Sequence, residues 1–315
     1  MTAFLIRRLA GAFVVLVLVS LMSFALIWLV PGDTAAAFLD ASATPEQIAK
    51  LRSALGLDKP LPLQMIEWYG RVLSGDLGQS ILLNRSVADA LLERLPVTLA
   101  LASLALVFAV IAGVAAGIVS AVYHNRWPDQ ALMATALLGL SVPDFWLGLV
   151  MVLVFAVSLG WLPSGGFTPF TSDPVGWLRT VILPALTLGL VQVGFIARMA
   201  RASMLETLNQ DFIRTADAKG LSRLTIVLRH GLPNAMIPIL TVIGIVAGAL
   251  LGGTVIIEQV FSIPGIGRLI VGAIGSRDFP VLQGGLLFLA VVYLTINLIV
   301  DILYAVVDPR VRLSQ

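Results

Sequence analysis

Six stretches of this chain, about 9–30, 97–122, 131–159, 181–200, 233–256 and 281–306, are each long enough and apolar enough to cross a bilayer. A spanning helix rises ~1.5 Å per residue and needs about 20 apolar residues to cover roughly 30 Å of hydrocarbon. Composition points the same way. Apolar and aromatic residues make up 58% of the 315 positions, charged residues 12%, and the mean hydropathy is +0.98. A soluble domain carries about 45–50% apolar and about 25% charged residues, so this chain lacks the polar surface to cover itself in water. The expectation is an all-α membrane protein with six transmembrane helices. Arg7 and Arg8 followed by uncharged residues 9–30 share the layout of a signal peptide. The apolar run exceeds the ~7–15 residues of such a segment, which favours an uncleaved first span.

Six spans put both termini on one side, and short-loop Lys and Arg choose the side. With cytoplasmic termini that side holds Arg7, Arg8, Arg126, Arg198, Arg201, Arg214, Lys219, Arg223, Arg229, Arg310 and Arg312, against Arg179, Arg268 and Arg277 opposite. Six more lie in the long segment 31–96, which is discounted because long loops translocate largely regardless of charge. Both termini are therefore expected inside. The net charge of +2 includes only three Lys and no dense basic tract, so it reads as topology and not as nucleic-acid binding. With no Cys and two distant His, His124 and His230, the chain offers neither a thiolate nor a zinc cluster. No Gly-x-Ser-x-Gly supplies a nucleophile, and no Gly-Lys-Ser/Thr supplies a phosphate-cradling loop.

The chain divides into 1–30, the N-terminus and first span; 31–96, an external helical segment; and 97–315, a core of spans two to six with an inner loop at 201–232. In the external segment Thr44 and Gln47 form a capping box, Pro45 suits the first helical position, Ile48, Leu51 and Leu55 share a face, and Gly56 closes the helix. A second helix is expected from Pro62, with Met65, Ile66, Tyr69 and Leu73 on one face, ending at Gly75–Gly78. A third starts at Ser86 with Asp89 as capping partner and runs through Leu91, Leu92 and Leu95 toward Pro96 and span two. Gly113 and Gly117, and Gly244, Gly248 and Gly252, recur at the four-residue spacing that lets helices approach closely, within this chain or against a second subunit.

The inner loop carries the sharpest local pattern. Asp211 is read as the cap of a short helix over Phe212–Lys219, Gly220 as its left-handed closing residue, and Leu221 as the apolar contact after it. Ser222 caps a further helix ending near Gly231, before Pro233 opens span five. About eight residues of helix are marginal alone in water, so something must hold the first helix in place. Ala216 and Ala218 between Arg214, Asp217 and Lys219 fit a groove on another protein; a solvated connector is the alternative.

These residues, Asp211-Phe212-Ile213-Arg214-Thr215-Ala216-Asp217-Ala218-Lys219-Gly220-Leu221 and then Leu232-Pro233, resemble the inner loop of ATP-binding-cassette (ABC) importer permeases. Ala216, Gly220, Leu232 and Pro233 match the general form Glu-Ala-Ala-x-x-x-Gly followed by Ile-x-Leu-Pro. Arg214, Thr215 and His230 depart from it toward the dipeptide, oligopeptide and nickel branch. The segments 29–33, 75–80, 94–99, 143–148, 260–267 and 301–310 are similar to that branch in the same order.

The resemblance implies a type I ABC importer permease fold in a bacterial inner membrane. It also implies a second permease subunit forming a heterodimer, two ABC ATPase subunits and an external substrate-binding protein. ATP and Mg would be bound by the ATPase subunits and no cofactor by this chain. It makes Asp211, Arg214, Thr215, Ala216, Asp217, Lys219, Gly220 and Ser222 the ATPase-coupling positions, and the solute a dipeptide or oligopeptide, with nickel chelates, glutathione and opines as alternatives. Asp144, Trp146, Gln192 and Asn297 are candidates to line the passage. Asp144, after the helix-breaking Pro143, is equally read as structural, and Gln192 and Asn297 as interhelical hydrogen-bonding groups. Glu258, Ser262, Pro264, Gly265 and Gly267 are candidates for the external mouth; Glu258 also reads as an interhelical partner and 262–267 as a plain turn. An ion-coupled secondary transporter using Asp144 or Asp301, or an uncoupled channel, are the rival classes; a capped inner helix with an engine to engage favours the importer.

Overall fold

The computed structural model describes residues 2–29, 44–54, 58–80 and 82–307. Leu55, Gly56, residues 30–33 and 308–310, all singled out above, lie outside the described residues. The chain forms two compact units, Met1–Pro96 with Gly265–Leu294, and Val97–Pro264 with Thr295–Gln315.

In the first unit, helix α1 (Thr2–Leu29) is followed by α2 (Pro45–Ala54) and α3 (Leu61–Leu73). The capping box is present: the Thr44 amide donates to Gln47 Oε1 (2.9 Å) and the Gln47 amide to Thr44 Oγ1 (3.3 Å). Apolar spacing located the buried side of α3 only in part: Met65 and Tyr69 are half-buried. Ile66 and Leu73 are exposed, and Gln64 and Trp68 are buried. Gln64 can be buried because its Nε2 donates to the Lys59 carbonyl (2.7 Å), while Trp68 packs on Phe24 of α1 (5.7 Å between rings) and on Tyr69 (5.0 Å). Ser20 of α1 shares a 2.8 Å hydrogen bond with the Tyr69 hydroxyl.

Strands β1 (Gln79–Ser80) and β2 (Arg85–Ser86) pair antiparallel and lead into α4 (Val87–Val122). Ser86 is thus a strand residue, and the third helix starts one position later and runs on through Pro96 into span two. Proline costs one ladder bond, which a long packed helix tolerates.

Buried Asp278 accepts Ser80 Oγ (2.5 Å) and the Val281 amide (3.3 Å), joining the hairpin to the start of the last helix. Ser80→Ala removes a hydrogen bond to a charged group and is expected to destabilise the first unit by about 1.5–3 kcal/mol. A lowered unfolding midpoint of the detergent-solubilised protein checks it, with Ser53→Ala, on exposed α2, as the unchanged control.

In the second unit, α5 (Trp127–Ser141) and α6 (Asp144–Met151), the latter extended by a π-helical turn over Val152–Ser158, form span three. They meet at 105°, a sharper bend than the ladder break expected at Pro143. The break falls at Val142–Pro143, both extended, where proline biases its predecessor away from helix. α7 (Pro174–Leu208) is capped by Asp173, whose side chain accepts the Val175 amide. After α8 (Asp211–Ala218) come α9 (Arg223–Thr225), a π-helical stretch Ile226–Gly231, and α10 (Leu232–Val260). The helix expected to stop near Gly231 therefore continues into span five, because the wider turn lets the ladder pass Pro233. α11 (Ile266–Ser276) belongs to the first unit, and α12 (Phe279–Val307) begins in the first unit and ends in the second.

Among the described residues five helices are long and apolar enough to span, six when the bent pair is one span. The main core of the second unit gathers Leu101, Ala105, Leu183, Leu188, Ile196, Val246, Leu250 and Ile257 from α4, α7 and α10.

Candidate functional site

α8 is short, and its two faces differ. Ile213 and Ala216 are buried, packing with Ile226 and Leu208. Asp211, Phe212, Arg214, Thr215, Asp217, Ala218 and Lys219 are exposed. Ala216 is therefore on the holding face and does not present itself to a partner. Phe212, not singled out from the sequence, shows 43% of its surface between the charged residues.

Asp211 is the first helical residue and not the cap; Gln210 occupies the cap position without a side-chain cap bond. Asp211 instead accepts Arg214 Nη1 (3.3 Å) on the surface. The C-terminus closes as expected. Gly220 takes φ +78°, its amide donates to the Asp217 carbonyl (2.9 Å), and the Leu221 amide reaches back to Ala216 (3.4 Å). Leu221 itself stays exposed, its packing role taken by Ile226. Ser222 caps α9, accepting the Thr225 amide (3.3 Å).

The turn between α4 and α5 carries a polar cluster of which the sequence offered only Arg201, as a topology charge, and His124, as a lone imidazole. Arg201, near the end of α7, grips buried Asp129 of α5 with two bonds, Nε to Oδ1 (2.6 Å) and Nη2 to Oδ2 (2.8 Å). Asp129 also accepts Ser120 Oγ of α4 and the Asn125 amide (2.8 Å). Arg201 Nη2 also lies 3.0 Å from His124 Nδ1, which brings the imidazole into the cluster. Forked geometry and full satisfaction of the carboxylate are what allow a charge to be buried. The available signal was an acid in the first turn of one span and an arginine in the last turns of the next, but nothing in spacing alone pairs them.

Above the cluster, α4 and α7 touch at backbone distance. A Cβ on Gly117 would lie 2.7 Å from the Ala197 carbonyl oxygen, and one on Gly113 2.7 Å from Ile196 Cβ. The first of the two glycine series therefore packs within this chain; of the second, Gly244 meets Val300 and Gly252 has open space.

The passage candidates are spread over three helices. Asp144 starts α6, half-buried, where a Cβ on Gly253 would stand 3.7 Å from its Oδ2. Trp146 is exposed, and Gln192 of α7 and Asn297 of α12 are half-buried. Of the mouth candidates, Glu258 is wholly buried and accepts Thr98 Oγ1 (2.7 Å), an interhelical pairing of α10 with α4. Ser262 is exposed at φ +53°, Pro264 is half-buried, and Gly265 and Gly267 are buried at the start of α11.

Among the described residues no group of His, Asp and Glu is placed to hold a metal ion. The second unit thus combines a sharply bent pair of apolar helices, a long α7 and a short amphipathic helix, α8, between α7 and α10.

The comparisons with known proteins agree. Residues 113–313 match the family described as "Binding-protein-dependent transport system inner membrane component", and residues 1–102 match "Binding-prot-dependent transport system membrane comp, N-term". The chain belongs to this family and is a permease of a binding-protein-dependent ABC importer, embedded in the inner membrane. It is similar to a protein of Brucella abortus (strain 2308) whose name describes a peptide transport system permease, 46% identical over 312 residues, 99% of each chain. It is likewise similar to the glutathione transport system permease protein GsiC of Escherichia coli (strain K12), 43% identical over 312 residues and 99% of each. A solved structure of the MetNI methionine ABC transporter in an inward-facing conformation shares the fold, with a TM-score of 0.56 at 21% identity, over 69% of this chain and 96% of that one.

Proposed function

We propose that this permease moves dipeptides or other short peptides inward, and that α8 is the coupling helix through which separate ATPase subunits drive it. In this reading two ATPase subunits bind ATP and Mg, a second, different permease chain completes the passage, and an external binding protein delivers the solute. The 201–232 loop and both termini then lie in the cytoplasm, in keeping with the Lys and Arg count. The names of the Brucella and Escherichia relatives, peptide and glutathione permeases, support a short peptide as the solute class.

The observation that carries the coupling role is the division of α8 into a held face, Ile213 and Ala216, and an offered face, Phe212, Arg214, Asp217 and Lys219. An apolar anchor ringed by charges suits insertion into a groove, and a docked helix turns closure of the ATPase pair into rigid-body movement of the spans. Selectivity then rests mainly on the external protein.

Gly220 tests it. Nothing lies within 4 Å of a Cβ there, so any effect of substitution is on the backbone and not on packing. Valine at φ +78° costs about 1–3 kcal/mol of strain, which opens the closing turn of α8. Gly220→Val is expected to cut ATP-driven peptide uptake into vesicles at least tenfold, on the order of 1.4 kcal/mol of lost docking, at unchanged membrane level, whereas Gly220→Asn, which tolerates the left-handed region, retains it. Normal uptake by Gly220→Val removes the coupling assignment.

A further inference from the structure

Two arginines bracket the coupling segment, and both are fastened to the same corner of the chain. Upstream, Arg201 holds Asp129 and His124. Downstream, Arg223, the residue directly after the Ser222 cap, donates from Nη2 to the Val122 carbonyl (3.1 Å). Residues 120–129 are the end of α4, the turn, and the start of α5. Between the two tethers an apolar layer continues the connection: Ala121, Ala200, Met204 and Val227 are buried together, with Leu208 packed against them and against Ile213 and Ala216 of α8 as well.

We propose that the 120–129 corner is the seat that carries the coupling helix, with Arg201 and Arg223 as positioning residues that make α8 and the adjoining ends of spans two and three move as one body. The proposal rests on the reading of α8 as the coupling helix. An eight-residue helix joined to the spans only through its own ends would swivel when pushed and lose the stroke. Tethers on both sides of it turn the push into displacement of the α4–α5 corner. Arg223 is the more telling member, since its bond to a backbone carbonyl at the end of α4 lies outside the buried ion pair and its loss spares the core.

The experiment uses the full importer complex in proteoliposomes with its external binding protein, a defined mixture of deuterated di- and tripeptides as probe, and peptide imported per ATP hydrolysed as readout. Arg223→Ala is expected to lower that ratio by at least about fivefold, the equilibrium value of one lost hydrogen bond, while ATP hydrolysis and assembly persist. Arg223→Lys, which keeps a donor, restores most of it. A loss that is merely structural lowers hydrolysis and import together and leaves the ratio unchanged, which overturns the proposal.

Amide exchange over residues 211–220 in the same complex supplies a readout independent of the peptides. Faster exchange in Arg223→Ala and wild-type exchange in Arg223→Lys support the seat; equal rates in all three overturn it. Gly220→Val, run alongside, separates the two readings. If it uncouples and Arg223→Ala does not, only the seat falls; if Gly220→Val itself imports normally, the coupling assignment falls first.

Discussion

Asp129→Ala is expected to be among the most damaging single substitutions in this protein, costing about 3–5 kcal/mol, because it leaves the Arg201 guanidinium and the Ser120 hydroxyl without their shared acceptor. Asp129 is 3% exposed and takes four hydrogen bonds from three partners, so its removal unpairs all of them at once. The unfolding midpoint of the purified complex in detergent measures it. The double variant Asp129→Ala, Arg201→Met is expected to regain much of the loss, since removing both charges removes the desolvated orphan as well. A double variant no better than the single one would mean that the two residues do not act as a pair.

Gly117→Val is the second large effect. Its Cβ would stand 2.7 Å from the Ala197 carbonyl oxygen and 2.9 Å from the Arg201 amide nitrogen, and both are backbone atoms that cannot rotate away. Overpacking of a well-packed core costs about 1–3 kcal/mol where side chains yield; here α4 and α7 must separate, which also shifts Arg201 relative to Asp129. The expected result is little folded protein in the membrane, read by detergent extraction and size-exclusion profile. Gly70→Ala, at an open position on α3, is the control, neutral or stabilising by about 0.5–1 kcal/mol through backbone entropy. A monodisperse Gly117→Val protein with wild-type yield would contradict the close α4–α7 contact.

The parts legible in the sequence were those set by local physics. Span count follows from the length of apolar runs, and the Thr44–Gln47 box and the Gly220 closure from residue types at fixed spacing. The Pro143 break was anticipated as a local loss of hydrogen bonding, though its 105° angle was not. At α3 apolarity at helical spacing found Met65 and Tyr69 but not Gln64 and Trp68, whose burial depends on the Lys59 carbonyl and on Phe24. Glu258 shows the limit differently: its interhelical role was readable from the sequence, but not its donor, Thr98, 160 positions away.

By itself the sequence determined that the chain lies in a membrane, where most of its helices fall, and that a short helix with a left-handed stop stands between spans four and five. Those properties depend on a residue and its neighbours within a turn or two. Only the tertiary structure decided that Ala216 faces inward and Phe212 outward, and that Asp129, Ser120, His124 and Arg201 form one cluster with Arg223 anchored beside it. Burial of charge depends on partners far along the chain, and periodicity within a helix carries no information about which other helix will bring them.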